Sequence, residues 1–235
     1  ENRHSFLSQF FRDKYDAGMR TLPTLMTGVK INRVEIWATN KTGRTDNTRS
    51  IVALTDLGEN SVIHNSAWSA SGLGVPANNA NTEYAAMTTQ YADARDIDQA
   101  STVLDAIPGF AGGADYEKLS SARLLNSSEY TVNTALGYVS LRTALQTDQV
   151  LAVAYEYTYR GQNYQVGEFS TDIKDNTQAL FVKALKNTSN VPSMANWKLM
   201  MRNVYSLNAT RVQKDRFRLD VKILSDTTGV YLTYI

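Results

Sequence analysis

The sequence predicts a mainly β protein: an antiparallel, β-sandwich-like domain with a helical insertion. Three observations predict it. Residues 150–159 alternate, with Leu151, Val153, Tyr155, Tyr157 and Tyr159 on one side and Val150, Ala152, Ala154, Glu156 and Thr158 on the other. Period two with β-branched and aromatic enrichment marks a half-buried strand. Residues 29–39 and 217–224 alternate in the same way, the second setting Phe217, Leu219, Val221 and Ile223 against Arg218, Asp220 and Lys222. Between the early and late strands, residues 82–107 are alanine-rich with apolar residues at helical spacing, so residues 59–113 form a helical insertion into a β scaffold.

Taken in order, residues 5–15 place Phe6, Gln9, Phe10 and Asp13 at helical spacing, with Ser5 as the cap. Residues 29–39 form a strong strand whose register shifts near Arg33-Val34, as at a bulge. A polar loop, 40–50, leads to a short strand at 51–54. In the insertion, Tyr84, Met87, Tyr91 and Ala94 share one helical face and Ile97, Ala100, Val103 and Leu104 another. Pro108-Gly109 then ends the helix. The sheet resumes at 116–125. Two short strands flank Leu136-Gly137, and Arg160-Gly161-Gln162-Asn163 turns the 150–159 strand into a return strand at 164–169. Further strands are expected at 179–185, 197–206 and 217–224, and Asp226 to Gly229 turns the last into 230–235.

Composition narrows the function classes. The chain has 235 residues, 20% charged and 43% hydrophobic, with a net charge of +1, which is too balanced to mark a nucleic-acid binder on charge alone. It has no cysteine, which removes disulfides, thiolate catalysis and cysteine-based zinc sites. No apolar run reaches the length of a membrane helix. No signal peptide stands at the start, and the chain opens on Glu1-Asn-Arg-His4 and stops at Ile235 in mid-strand pattern, so it reads as a piece of something longer. Four N-x-S/T sequons, at Asn40, Asn126, Asn187 and Asn208, matter only in a eukaryotic secretory protein.

A search for chemistry finds little. The two histidines, His4 and His64, have no partner at metal spacing. There is no nucleophile elbow, P-loop or dinucleotide fingerprint. Asp93, Asp96 and Asp98 cluster, but Ala100 breaks a calcium-loop pattern, and a solvated helix face is the better reading. Glu156 among tyrosines raises a sugar-binding strand with Tyr155 and Tyr157 as the contact residues. The glutamate, however, falls on the face opposite the rings. No enzyme, cofactor or metal is therefore expected. Charge is patterned: residues 83–117 hold seven acids against Arg95 alone, and residues 181–222 hold nine bases against two acids. Arg216, Arg218 and Lys222 lie at period-two spacing and are the candidate protein-contact face.

Several stretches carry a family resemblance. Residues 19–28 (MRTLPTLMTG) run into Ile31-Asn-Arg-Val-Glu-Ile-Trp37, and residues 47–53 (NTRSIVA) end in Asp56-Leu-Gly-Glu59. Then come Leu136-Gly-Tyr-Val-Ser-Leu141, residues 148–155 (DQVLAVAY), Tyr164-Gln-Val-Gly-Glu-Phe169, Asn203-Val-Tyr-Ser-Leu207 and Asp226-Thr-Thr-Gly-Val-Tyr-Leu232. In order and spacing this resembles the SprA family, also called Sov, very large outer-membrane proteins of gliding motility and type IX secretion in Bacteroidota. The helical insertion has no counterpart in it. The resemblance implies a transmembrane β-barrel that exports folded cargo, with a smaller barrel protein at a lateral gate and a periplasmic plug as partners, and no catalytic residues. This chain, a small fraction of such a protein, is then expected to be an extramembrane domain beside the outer membrane, reaching the bilayer only through the rest of the protein. A cell-surface carbohydrate-binding or adhesin-like module is the competing reading.

Overall fold

The predicted strands, except the one expected at 197–206, find their places in three sheets. The computed structural model describes residues 3–43, 45–189, 191–207, 209, 211–213, 215 and 217–233. In chain order these form β1 (His4–Phe6), α1 (Gln9–Met19), β2 (Val29–Thr39), β3 (Thr48–Leu54), α2 (Glu83–Thr89) and α3 (Ala100–Leu104). There follow β4 (Tyr116–Leu124), β5 (Tyr130–Asn133), β6 (Tyr138–Leu141), β7 (Leu151–Tyr159), β8 (Gln162–Val166), β9 (Leu180–Lys186), β10 (Lys222–Leu224) and β11 (Tyr231–Thr233). The protein is mainly β, as the alternation predicts. Its chain divides into two units, Glu1–Val204 and Tyr205–Ile235.

The first unit is built on a sheet that closes on itself. Its strand order is β2-β4-β3-β9-β7-β8, and β2 also pairs along β7, from Val29↔Tyr159 to Ala38↔Leu151. Five strands thus form a ring, and β8 hangs from the second half of β7. Only the β3–β9 pair is parallel. A smaller antiparallel sheet, β1-β6-β5, packs its apolar residues into the same core.

Closure changes what the alternation means. Residues 150–159 read as half buried, yet nearly every residue of β7 is buried. One face, Leu151, Val153, Tyr155, Tyr157 and Tyr159, joins the main core outside the ring. The other, Ala152 and Ala154, points into the ring with Trp37, Ile51, Ala53, Ala122, Phe169, Leu180, Val182 and Ala184. Five of these ten interior residues are alanine. A ring this narrow leaves little room, so small side chains fill it around one indole and one phenyl ring. The expected bulge in β2 is present, with a register shift between Ile31 and Arg33. It lets Val29 and Ile31 share the outer face with Ile36 and Ala38, although their numbers differ in parity.

The turn between β7 and β8 is two residues, Arg160 and Gly161, both at positive φ (50° and 80°). That is the primed-turn geometry whose twist matches a right-handed hairpin. The return strand accordingly begins at Gln162, two residues earlier than expected.

Residues 55–115 connect the antiparallel neighbours β3 and β4. Leu57, Trp68, Val75, Met87, Leu104 and Phe110 of this connection bury against Phe181, Leu185 and Tyr157 on the ring's outer face. Helix α1 covers another part of that face: the Phe11 ring lies 5.3 Å from Tyr157 and 6.0 Å from Tyr155, both edge-on.

Two local expectations are corrected. The first helix starts at Gln9 rather than near Ser5, because His4, Ser5 and Phe6 pair with β6. Sheet pairing there outweighs a helical spacing that is weak on its own. Residues 197–206 are not a strand; Ala195–Leu199 is a 3₁₀ turn, and Met200 reaches β1 only through a single bridge to Ser5.

In the second unit, β10 and β11 form an antiparallel pair from Lys222↔Thr233 to Leu224↔Tyr231. Ser225 and Val230 close the turn, with Gly229 at φ 64°. Of the strand expected at 217–224, only Lys222–Leu224 is paired.

Candidate functional site

Charge inside the first unit sits where the long connection meets the sheet. Strand β9 reads ALFVKAL, and period two puts Lys183 with Phe181 and Leu185 on the outer face, beneath residues 55–115. Lys183 is fully buried. Its ammonium donates to the carbonyls of Thr55 (3.3 Å) and Leu57 (3.1 Å) and to Glu59 Oε1 (2.8 Å), so all three of its hydrogens are used. The Glu59 carboxylate also accepts from the backbone N–H of Gln9, the first residue of α1 (3.2 and 3.3 Å). It does what the Ser8 side chain does not, satisfying an orphan donor with negative charge at the helix start. Burial pushes the Glu59 carboxyl up, and Lys183 opposes that shift.

Neighbouring acids are equally structural. Asp56 accepts from the N–H groups of His64 (2.7 Å) and Asn65 (2.8 Å), and burial raises its pKa against those bonds. Asp115 accepts from Asn65 Nδ2 (3.1 Å) and the N–H of Ala111 (2.9 Å). Glu168 accepts both guanidinium nitrogens of Arg95 (2.9 and 2.6 Å), the Tyr84 hydroxyl (2.8 Å) and the Phe181 N–H (2.9 Å). The Asp56 and Asp115 contacts hold the connection to itself, and Arg95 and Tyr84 tie it to Glu168, next to β9. Glu83 differs: it is fully buried and neither carboxylate oxygen meets a donor among the described residues. Burial, then Asp56, hold its pKa well above the ordinary value, which favours the uncharged acid.

None of this cluster was legible as a site. A lone lysine in an apolar strand was its one signal, because a buried cation needs a buried counter-charge.

The residues singled out from sequence are scattered. Tyr155 and Tyr157 are fully buried, the latter donating to the Pro76 carbonyl (2.8 Å), so neither ring can meet a sugar. Asp93, Asp96 and Asp98 are exposed, and no group of acids or histidines among the described residues is placed to hold a metal. His4 shares a hydrogen bond with Ser140 Oγ (2.7 Å). Of the nine bases at 181–222, Lys183 is in the core and Lys186 is half buried, donating to the carbonyls of Thr147 (2.8 Å) and Gln149.

The candidate contact face falls in the second unit. Arg216 lies outside the described residues. Arg218 is exposed and pairs with Asp220 (3.1 Å), and Lys222 is exposed at the start of β10. The residues that alternate with them matter more than sequence reasoning allowed: Phe217, Leu219, Val221 and Ile223 are 50%, 55%, 57% and 53% exposed. Val230, Tyr231 and Leu232 across the turn are exposed too. An apolar row beside a charged row, uncovered on both arms of a hairpin, can seat a hydrophobic partner with its polar rim in place.

Comparison of the chain with protein-family models and with curated protein sequences finds no match.

Proposed function

We propose that the chain is a non-catalytic structural module of a larger outer-membrane assembly, of the type IX export kind that the SprA-like motifs imply. It works through protein contacts with neighbouring translocon subunits or cargo. The observation that carries this reading is the segment 217–232, which ends in the β10–β11 hairpin and whose apolar residues stand exposed, alternating in sequence with charged ones. That pattern suits a strand pair that adds to another β structure, either a neighbouring wall or a partner's sheet. The buried charges fit the same reading. The carboxylates of Asp56, Glu59, Asp115 and Glu168 each accept backbone or side-chain donors that fasten the first unit together.

Replacing Leu219, Val221 and Ile223 together by Ser in the full-length protein tests it. Cargo should disappear from the medium while the protein still accumulates in the envelope and its first unit keeps its melting temperature. Unchanged secretion would overturn the reading.

A further inference from the structure

The first unit holds a groove of about 740 Å³ along the outer edge of β8, between that strand and the start of the long connection. None of its lining side chains is charged, although a fifth of the chain is. The groove beside α1, of equal volume, is by contrast lined by Arg12, Asp13, Asp16, Lys198 and Arg202. The β8 groove has a mainly apolar surface, with Leu73, Ala77, Ala85 and the Tyr164 ring, set with the amides and hydroxyls of Asn78, Asn79, Asn163, Gln165 and Thr82.

The edge itself is half open. The two-residue turn at Arg160-Gly161 makes Tyr159↔Gln162 and Tyr157↔Tyr164 the hydrogen-bonded pairs of the hairpin. The backbone groups of Asn163 and Gln165 therefore face away from β7. Asn78 takes the far end, its N–H donating to the Gln165 carbonyl (2.8 Å) and its Oδ1 accepting from the Gly167 N–H (2.7 Å). The Asn163 backbone and the Gln165 N–H are left facing the groove. Among the described residues the exposed Asn79 amide has no protein partner and Asn163 uses only its Oδ1, which accepts from Thr158, whereas the Gln165 amide already donates to the Gly167 carbonyl and to Asp172 (2.9 Å each).

We infer that this groove binds a neutral carbohydrate. Paired donor and acceptor groups on amides match adjacent sugar hydroxyls, each of which both gives and accepts a hydrogen bond. The Tyr164 ring is fixed for stacking against a sugar face, because it already stacks on Tyr157 at 5.4 Å and its hydroxyl donates to Gln162 (2.7 Å). The absence of charge disfavours phosphates, nucleotides and acidic polymers, which need cationic partners. This is a different site from the buried tyrosines of β7, and it does not depend on the hairpin at 217–232.

The test is a two-dimensional NMR titration of the whole chain with cellohexaose, maltohexaose and mannohexaose, and with hexagalacturonate as the charged control. At least one neutral hexasaccharide should give saturable shifts at Asn79 and residues 163–165, unchanged in 1 M salt, as screening leaves neutral contacts alone. The uronate should give none. Asn79→Asp, at an exposed position that carries no fold contact, should weaken binding about tenfold. Tyr164→Phe should keep most of the affinity, since the ring remains. The proposal is overturned if no neutral hexasaccharide shifts these residues by about 10 mM, a weak-binding limit for a sugar site. It is also overturned if the uronate binds as well, or if only an extended hexapeptide shifts the β8 edge.

Discussion

Glu83 and Lys183 show two ways of burying an ionisable group, with opposite consequences. Glu83 has a raised pKa, so the folded state holds a proton that the unfolded chain releases near the ordinary glutamate value. Its sign follows: above that value folding must keep the acid protonated, and stability falls as pH rises toward the folded pKa. Glu83→Gln keeps the shape and removes the titration. Its melting temperature should exceed the parent's at pH 8 and match it near pH 4, as read by calorimetry across pH. Lys183 is satisfied by Glu59 and two carbonyls. Lys183→Met strands a buried carboxylate and should cost about 3–5 kcal/mol in denaturant unfolding. Lys183→Met with Glu59→Gln should recover most of that loss. Neither residue announced itself. A lysine in an apolar strand, and a glutamate at the start of an alanine-rich helix, look like surface residues until the chain folds over them.

At the scale of elements, alternation was legible and its second face was not. Strand β7 was placed almost to the residue, as were β2 with its bulge and β9. Ala152 and Ala154 looked like the exposed side because alanine carries little apolar signal. In a narrow ring it is small size, not hydrophobicity, that selects the residue. Ala154→Leu should therefore destabilise by about 1–3 kcal/mol through overpacking, measurable by urea unfolding. The start of α1 was misplaced for the opposite reason: its boundary is set by pairing with β6, far off in sequence, and by a carboxylate from Glu59. Short helices take their limits from tertiary partners, and local spacing does not hold that information.

For the whole molecule, the mainly β class was readable, whereas the closing of the sheet was not, since no local pattern says that β2 and β7 meet. The division into Glu1–Val204 and Tyr205–Ile235 makes a direct prediction. A chain ending at Val204 should fold, with a melting temperature within about 3 °C of the parent, near 1 kcal/mol for a domain of this size. It should also be more soluble, having lost the exposed Phe217, Leu219, Val221 and Ile223. The candidate face at Arg216, Arg218 and Lys222 was read from charge alone, and the apolar residues between them were passed over because a strand's apolar row is ordinarily assigned to the protein's own core.

The pairing of β2 with β7 also sets an order in time. The two strands lie more than a hundred residues apart, and the entire connection from β3 to β4 is made between them. A growing chain can assemble β2, β4 and β3 as an open three-stranded piece, but the β2 edge waits for β7 and the β3 edge for β9. Contacts of such long range make folding slow, on the millisecond-to-second scale typical of such topologies. Until the last strand arrives, the nascent protein displays two bare strand edges, and it depends on whatever shields them while it is being made.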